Sequence, residues 1–298
     1  MKSYRLTHKL EGAFLHASSP LLPDKLYLRI KYHHELGKWP NIDSPRSFNE
    51  KLQWLKLYFR KAELHQLVDK CAVKDYVKNK IGQQYIIPTI QTWENVDSIQ
   101  WDTLPDQYVL KTTHGGGGAG VVICKDKRLF NKKLAIQKLK KSLKQDIYQN
   151  YREWPYKGIE RRILAETYIE ASPELNDYKF FCFNGKVKCF KIDFGRFVEH
   201  HANYYNREGQ ILPFGEAHFL PDFDKKLPIP NNLHEMIGIA EQLASDFPFV
   251  RVDLYNNNGE ILFGELTFFP AAGMGAFYPE DWDQKLGDWL ILPNKRII

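Results

Sequence analysis

A run of glycines constrains what this chain can fold into more than any other stretch of its sequence. The segment KTTHGGGGAG, residues 111–120, contains five glycines. Glycine loses more conformational freedom on folding than any other residue, so a folded chain keeps four in succession only where the backbone must come close to something. The flanking segments QYVLKTTH and GVVICKD are rich in apolar and β-branched residues. They predict two strands joined by a glycine loop.

Several known glycine patterns can be compared with this loop. Gly115, Gly117 and Gly120 satisfy GxGxxG, but a dinucleotide-binding fingerprint leads into a helix, whereas this loop leads into the strand VVIC. The P-loop pattern GxxxxGK[ST] is missing. The spacing also matches a protein-kinase loop, and DFG occurs at Asp193, yet the HRD motif is absent and Lys111 precedes the loop. A plain hairpin tip and a loop over nucleotide phosphates remain, and the lysine beside bare amides favours an anion site.

Composition indicates an ordinary globular protein that needs no disulfide framework. The chain has 298 residues, of which 43% are hydrophobic and 26% are charged. Its four cysteines are dispersed without a CxxC pair, which predicts reduced thiols in a cytoplasmic protein. The first residues lack the apolar core of a signal peptide, and no apolar stretch approaches the roughly 18 residues of a membrane span. We therefore expect no transmembrane segment.

The net charge of +6 is unevenly distributed. Residues 124–144 hold nine Lys and Arg against one Asp, with apolar residues at roughly helical spacing. This pattern predicts an amphipathic helix with a solvated basic face. Contact between residues 125–144 and a polyanion or a membrane surface is the alternative. No nucleic-acid-binding motif accompanies the charge, so we expect no specific nucleic-acid partner.

The order of helical and strand patterns predicts an α+β protein with three regions. These regions are a mostly helical part (1–85), a small αβ lobe with the glycine loop (86–165), and a larger antiparallel αβ lobe (166–298). In the first region, Ser47 and Glu50 have capping-box spacing, and LVDKCAVKDYVKNKIG predicts one helix ended by Gly82 in the left-handed conformation. Asn-Gly pairs in the third region predict tight hairpins.

A hairpin near the C-terminus groups polar residues of a kind that bind metals. Arg251 and Asp253 alternate with apolar residues on one strand, and Glu265 and Thr267 alternate likewise on the returning strand. Two carboxylates and a hydroxyl suit Mg²⁺. A two-residue Asn-Gly turn would pair Asp253 with Gly264, so an odd-length loop or a bulge is required to bring the carboxylates to one face. A solvated strand face with an Arg–Asp pair is the alternative.

Taken in order, these segments resemble the ATP-grasp superfamily. The chain looks more closely like the TupA-like ATP-grasp proteins of bacterial surface-polysaccharide biosynthesis. Between residues 47 and 273, the segments that carry the resemblance are SFNEKLQWLKLY, DKCAVKDYV, IIPTI, LKTTHGGGGAG, LAETYIE, NDYKFFCFNGKVK and FGELTFFPAAG. The resemblance implies two αβ lobes that clasp ATP. It also implies a carboxylate that is activated as an acyl phosphate and then attacked by an amine.

The resemblance also implies roles for individual residues. Lys70 and Lys111 would contact nucleotide phosphates, and Gly115, Gly116, Gly117 and Gly118 would cover the β- and γ-phosphates. Glu166, Thr167, Tyr168 and Ile169 would form the adenine hinge. Asp253 and Glu265 would hold Mg²⁺, and Thr267 stands where superfamily ligases usually have Asn, which leaves the number of ions open. Arg251 would stabilise the transferring phosphoryl group or the tetrahedral oxyanion, and Lys179 and Arg196 would contact phosphate or substrate carboxylate.

Two histidine sites have less definite assignments. His114 adjoins the glycine loop, where it could contact a phosphate, shuttle a proton or order the loop. His200 and His201 have no third ligand at metal spacing, so we expect a surface loop there.

The resemblance implies an ATP- and Mg²⁺-dependent carboxylate–amine ligase that joins an amino acid or amine to a carboxylate-bearing sugar or glycan during surface-polysaccharide assembly. Two alternatives remain. The first is an ATP-dependent phosphotransferase acting on a sugar or amine. The second is a non-catalytic protein that binds an anionic glycan through the basic helix.

Overall fold

The structure of the chain is a computed structural model that describes residues 12, 15, 17–116, 118–170, 176–195 and 199–297. Its helices are α1 (Asp24–Leu36), α2 (Phe48–Tyr58), α3 (Leu64–Val68), α4 (Val73–Ile81), α5 (Lys132–Leu143), α6 (Ile147–Tyr151), α7 (Leu233–Ala244) and α8 (Trp282–Trp289). Its strands are β1 (Thr89–Trp93), β2 (Tyr108–Thr112), β3 (Val121–Cys124), β4 (Ile163–Thr167), β5 (Asn176–Phe183), β6 (Lys186–Phe194), β7 (His201–Tyr205), β8 (Gly215–Glu216), β9 (Phe249–Asn257), β10 (Glu260–Thr267) and β11 (Phe277–Tyr278).

The strands form two principal sheets. The small sheet has the order β1-β4-β2-β3, and the large sheet has the order β10-β9-β5-β6-β7. Strands β8 and β11 form a separate pair. Neighbouring strands in both sheets run antiparallel, so the predicted α+β class is confirmed. Strand β4 ends at Thr167, two residues beyond the position at which the sequence suggested the small lobe would end.

Helix α2 begins as its sequence predicts. The backbone N–H of Glu50 donates to Ser47 Oγ (3.4 Å), and Glu50 Oε2 accepts from the N–H of Ser47 (3.2 Å). This is the capping box. The helical region does not stand apart from the rest of the chain, because Phe48 belongs to the same buried cluster as Phe183 and Phe249 of the large sheet. The rings of Phe48 and Phe249 lie 4.9 Å apart, edge to face.

The prediction of one helix over LVDKCAVKDYVKNKIG was wrong, because the chain forms two helices, α3 and α4, with a break at Asp69. Asp69 Oδ1 accepts hydrogen bonds from the N–H groups of Cys71 and Ala72, both at 2.8 Å. A short polar side chain that bonds nearby backbone competes with helix continuation. Helix α4 ends at Gly82, but with φ 111° and ψ 161° rather than the predicted left-handed helical cap. Because of this break, Lys70 lies between α3 and α4 and belongs to neither helix.

The core of the large lobe lies between the apolar face of the large sheet and α7. Helix α7 buries residues at helical spacing, among them Met236, Ala240 and Leu243, and it contacts β5, β6 and β9. Alternate residues of the strands, such as Phe180 and Val252, are fully buried. Because alternation gives a sheet two distinct faces, the residues between them point to the opposite side, where the polar side chains gather.

The predicted basic helix is confirmed as α5. Ala135 and Leu139 are buried against the small sheet, whereas Leu134 is 60% exposed among the lysines. Within the described residues, no helix is both long enough and apolar enough to cross a membrane.

Replacing Leu243 by Ala should destabilise the fold by about 2–5 kcal/mol, because it removes a fully buried side chain and leaves a cavity. Leu134→Ala is the matched control on an exposed site, and it should change stability by less than about 0.5 kcal/mol. Urea unfolding followed by circular dichroism measures both. Equal effects of the two substitutions would contradict the packing described here.

Candidate functional site

One face of the small sheet carries a buried ion triad. Glu166 on β4 lies between Lys111 of β2 and Lys74 of α4, at 2.6 Å from each ammonium. The register pairs Val109 with Glu166 and Lys111 with Leu164, so Lys111 and Glu166 are diagonal neighbours on one face. Burial alone would raise the pKa of Glu166, but the charges of Lys111 and Lys74 more than offset it and lower that pKa. The carboxylate is therefore ionised.

Apolar side chains of the same face lie beside this triad. Val109 is opposite Ile123 and Lys111 is opposite Val121 across β2 and β3. Ile123 is 50% exposed, although it belongs to the sheet rather than to a loop. An exposed apolar strip next to a lysine and a carboxylate suits a flat ring that carries a negatively charged substituent.

The predicted hinge residues include the last two residues of β4 and lead from there towards the large sheet. Thr167 is exposed, whereas Tyr168 and Ile169 are half-buried. The N–H of Thr167 donates to the carbonyl of Pro88 (3.1 Å). The carbonyl of Glu170 accepts from Asn257 Nδ2 at the end of β9 (3.2 Å). This segment therefore spans from one sheet to the other.

The glycine loop contains two kinds of glycine. A side-chain carbon on Gly120 would lie 2.2 Å from Thr112 Oγ1 and 2.4 Å from Ser142 Oγ, and one on Gly115 would lie 2.5 Å from Thr112 Oγ1. At Gly116 and Gly118, by contrast, nothing lies within 4 Å. The first pair must be glycine because the protein's own hydroxyl groups fill the space. The second pair faces open space, which leaves the backbone accessible to a ligand.

Gly117 and His114 are the remaining predicted residues of this loop. Gly117 lies outside the described residues. His114 is buried, with 2% of its surface exposed. Burial, and then the positive charges of Arg161 and Lys70, lower the pKa of His114, so its imidazole is neutral at neutral pH.

Lys70 joins the glycine loop to the large sheet. Its ammonium donates to the carbonyl oxygen of Gly115 and lies 3.4 Å from Glu265 Oε2. Its backbone N–H donates to the carbonyl of Thr113 (2.9 Å), which fixes the segment released by the break at Asp69. One lysine therefore contacts both halves of the predicted site.

The C-terminal hairpin has a bulge, one of the two features that the sequence analysis allowed for bringing the carboxylates to one face. Across β9 and β10, Glu265 is opposite Asp253 and Thr267 is opposite Arg251, and the register shifts at Gly264. A side-chain carbon on Gly264 would approach the Asp253 carbonyl to 3.0 Å. The extra residue carries Glu265 to the same face as Asp253. The predicted clustering of these four polar residues is confirmed.

Arg251 holds this cluster together through its guanidinium group. It bonds to Asp253 in a bidentate manner (2.6 and 2.7 Å), and also to Glu265 Oε1 (3.2 Å) and Thr267 Oγ1 (3.0 Å). Burial would raise the pKa of Glu265, but Lys70, Arg251 and Lys179 more than offset it and lower that pKa. Burial raises the pKa of Asp253, and the charges of Arg251 and Lys179 only partly offset it. Each of the two carboxylates therefore has a cation in direct contact.

Lys179 of β5 extends the cluster across the sheet. It is opposite Asp253 in register, and its ammonium lies 3.1 Å from Asp253 Oδ2, beside Asp177, and 3.6 Å from Asp193 Oδ2. Burial alone would lower the pKa of Lys179, but Asp253 and Asp177 raise it. Arg196, predicted to act with Lys179, lies outside the described residues.

Sequence reasoning missed several charged residues of the site. Lys191 is opposite Lys179 and bonds Glu216 Oε2 at 2.9 Å. The strand alternation in NDYK and KID was the available signal, because it places Asp177, Lys191 and Asp193 on the face of Lys179. Lys74 and Glu216 had no such signal, since their contacts join segments far apart in sequence.

The paired carboxylates fit a hard divalent cation. In the described part of the chain, no group of three or more Asp, Glu, His or Cys side chains converges on one point. Mg²⁺ usually takes only one or two protein carboxylates and completes its shell with water and substrate phosphates. Asp253 and Glu265, opposed in register on one face, supply such a pair.

A glycine loop, a buried lysine–carboxylate triad and an acidic hairpin lie together between two antiparallel sheets, and Lys70 contacts both the loop and the hairpin. The sequence model described as TupA-like ATPgrasp matches residues 50–291. The chain belongs to this family, as its motifs predicted. No curated protein sequence matches the chain significantly.

Solved structures of ligases align with the chain at low identity. For D-alanine–D-alanine ligase from Bacillus anthracis with ATP, identity is 14%, coverage is 68% of this chain and 54% of that one, and the TM-score is 0.40. For the Helicobacter pylori D-alanine–D-alanine ligase, identity is 15%, coverage is 76% of this chain and 61% of that one, and the TM-score is 0.42. For N5-carboxyaminoimidazole synthetase from Staphylococcus aureus with ADP, identity is 14%, coverage is 68% of this chain and 44% of that one, and the TM-score is 0.37. The chain thus spans little more than half the length of the first of these ligases.

Alanine substitutions at the two kinds of glycine should differ in their effect on stability. Gly120→Ala should destabilise the protein by about 1–3 kcal/mol, because the new methyl group meets Thr112 and Ser142 in a filled space. Gly116→Ala should change stability by less than about 0.5 kcal/mol, because its methyl group enters open space. Urea unfolding of both variants checks this. A loss at Gly116 as large as that at Gly120 would refute the distinction.

Glu166→Gln should lower the free energy of unfolding by about 3–5 kcal/mol at neutral pH, since it leaves two largely buried ammonium groups without their counter-charge. Because the folded-state pKa of Glu166 is lowered, the stabilisation exists above the ordinary carboxyl pKa and disappears as pH falls through the folded value. The difference from wild type should therefore shrink in acid.

Urea unfolding of Glu166→Gln at neutral pH and at about pH 3, well below the ordinary Glu pKa of about 4.3, measures this difference. Glu94→Gln, on an exposed side chain, is the control, and it should be neutral at both pH values. A pH-independent effect of Glu166→Gln would argue against the ion triad.

Proposed function

We propose that this protein is an ATP- and Mg²⁺-dependent carboxylate–amine ligase that forms an amide through an acyl phosphate. We further propose that it joins an amino acid or other amine to a carboxylate-bearing sugar in surface-polysaccharide assembly. The contact of Lys70 with both Gly115 and Glu265 carries the proposal, because it links the phosphate-binding loop to the acidic hairpin. Membership of the family supports the ligase chemistry, and the resemblance described above supports the substrate class.

ATP would lie between the two sheets. The adenine ring would pack on the apolar strip that includes Ile123, beside the hinge from Glu166 to Ile169. Lys111 and Lys70 would bind the phosphates, and the open backbone at Gly116 would cover them, since bare amides and ammonium groups favour anions. Mobile glycine loops can also exclude water from a reactive intermediate.

The large sheet would provide the reacting end of the site. A substrate carboxylate oxygen would attack the γ-phosphorus, forming the acyl phosphate and releasing ADP. Asp253 and Glu265 would hold Mg²⁺, whose charge would neutralise the phosphates. Arg251 and Lys179 would stabilise the negative charge that develops on the transferred group, an effect commonly worth about 3 kcal/mol or more per donor. The amine would then displace phosphate to give the amide.

Calorimetric titration with ATP, with and without Mg²⁺, tests nucleotide binding. We expect the wild type to bind in the micromolar range, and Lys111→Ala and Glu265→Gln to weaken binding by about tenfold or more, since each removes a charged contact. Lys138→Ala, on the exposed face of α5, is the matched control and should bind as wild type does. Absence of nucleotide binding by the folded wild type would contradict the proposal.

Product analysis then distinguishes ligation from phosphotransfer. Incubation with ATP, uronic acids and amino acids should release ADP and inorganic phosphate together with an amide, identified by mass spectrometry. Phosphate retained on the sugar or amine would instead establish the phosphotransferase alternative. Binding of anionic glycan that falls with salt and needs no ATP would favour the non-catalytic alternative.

A further inference from the structure

The polar face of the large sheet continues past Lys179 to an aspartate–histidine pair. Asp193 lies near the end of β6, and 3% of its side chain is exposed. Its Oδ2 lies 3.6 Å from Lys179 Nζ, and its Oδ1 lies 3.2 Å from His200 Nε2. Since Lys179 also contacts Asp253 at 3.1 Å, an unbroken series of polar contacts runs from the acidic hairpin to His200.

Strand register places this pair on the same face as the Arg251 cluster. Asp193 is opposite Ala202 across β6 and β7, and His200 precedes Ala202 by two residues. His200 lies just before β7, and the 3.2 Å contact of its Nε2 with Asp193 Oδ1 places its side chain beside Asp193. Lys179 on β5 is level with Lys191 on β6 and with Asp253 on β9, so the backbone of Asp193, two residues further along β6, lies roughly 12 Å from that of Asp253. The Lys179 ammonium bridges this separation, because it lies 3.1 Å from Asp253 and 3.6 Å from Asp193.

The surroundings of His200 suit proton transfer. About a quarter of the side chain is exposed (26%), and its ring lies over Phe219 with centroids 3.7 Å apart. Among the described residues, the ammonium groups of Lys179 and Lys191 lie 3.6 and 4.0 Å from the carboxylate of its partner Asp193. A carboxylate only accepts hydrogen bonds, so Nε2 is the donor to Asp193, and in the neutral imidazole Nδ1 is then the nitrogen that has the lone pair.

The proposed ligase needs a base at this position. An amino group is largely protonated at neutral pH and then has no lone pair for attack. Resting on the proposed ligase function, we infer that His200 is the general base that deprotonates the incoming ammonium group, and that Asp193 is the residue that positions it.

The proton and electron balance of the step is simple. His200 Nδ1 takes one proton from the ammonium, which becomes a neutral amine. The amine nitrogen attacks the acyl-phosphate carbon, the carbon–nitrogen bond forms, and the bond between that carbon and the bridging oxygen breaks. The departing phosphate takes the second nitrogen proton as hydrogen phosphate, and the imidazolium releases its proton to water.

Hydroxylamine separates this role from a structural one. It is largely unprotonated at neutral pH, so it traps an acyl phosphate as a hydroxamate without help from a base. With ATP, Mg²⁺ and a uronic acid that the wild type uses, His200→Gln should form hydroxamate at nearly the wild-type rate. Its amide formation from an amino acid should fall about 100-fold or more, the usual contribution of a general base.

His201→Gln is the matched control. The imidazole of His201 bonds the Leu220 carbonyl through Nδ1 (2.9 Å) and stacks on Phe194, away from the cluster, so both rates should stay near wild type. Asp193→Asn should slow amide formation more than hydroxamate formation. Added imidazole should restore amide formation to His200→Gly, which a purely structural defect would not allow.

Two results would overturn parts of this account separately. Equal losses of hydroxamate and amide in His200→Gln, with no rescue by imidazole, would refute the base while leaving the ligase intact. A wild type that binds ATP but forms no hydroxamate from any carboxylate would refute the proposed ligase, and the assignment of His200 would fall with it.

Discussion

The contact of Lys70 with Gly115 and Glu265 is the interaction on which the site depends. These groups belong to a segment between two helices, to the glycine loop of the small sheet, and to the acidic hairpin of the large sheet. The contact is possible only because Asp69 ends helical hydrogen bonding and the Lys70 backbone bonds to Thr113. The side chain of Asp69, by bonding backbone groups that would otherwise continue a helix, therefore lets Lys70 connect the two halves of the site.

Burial of so many charges requires that each has a partner. Glu166 lies between two lysines, and Asp253 and Glu265 share Arg251. Such pairs add little net stability, because desolvation offsets much of their attraction. Under the proposed function, cations that are already oriented would need little reorganisation when phosphate oxygens arrive, which is how preorganised sites stabilise developing charge.

Much of the fold could be predicted because its signals are local. Period-two alternation and Asn-Gly turns predicted the β5–β6 and β9–β10 hairpins. The polar residues of β9 and β10 further required an odd-length loop or a bulge, and a bulge lies at Gly264. Motif order identified the family. The break at Asp69 was missed because the residues on both sides have helical patterns, and nothing in those patterns shows that the Asp69 side chain bonds the nearby backbone. Lys74 and Glu216 were missed because their partners lie far away in sequence.

Hydrogen–deuterium exchange of the whole protein, with and without MgATP, tests the central claim that the nucleotide lies between the sheets. The account predicts slower exchange in residues 113–120 and 166–169 when MgATP is bound, with little change in α5, because loop and hinge amides would be covered while the basic helix would not. MgATP that binds without protecting either segment, or that protects only α5, would contradict it.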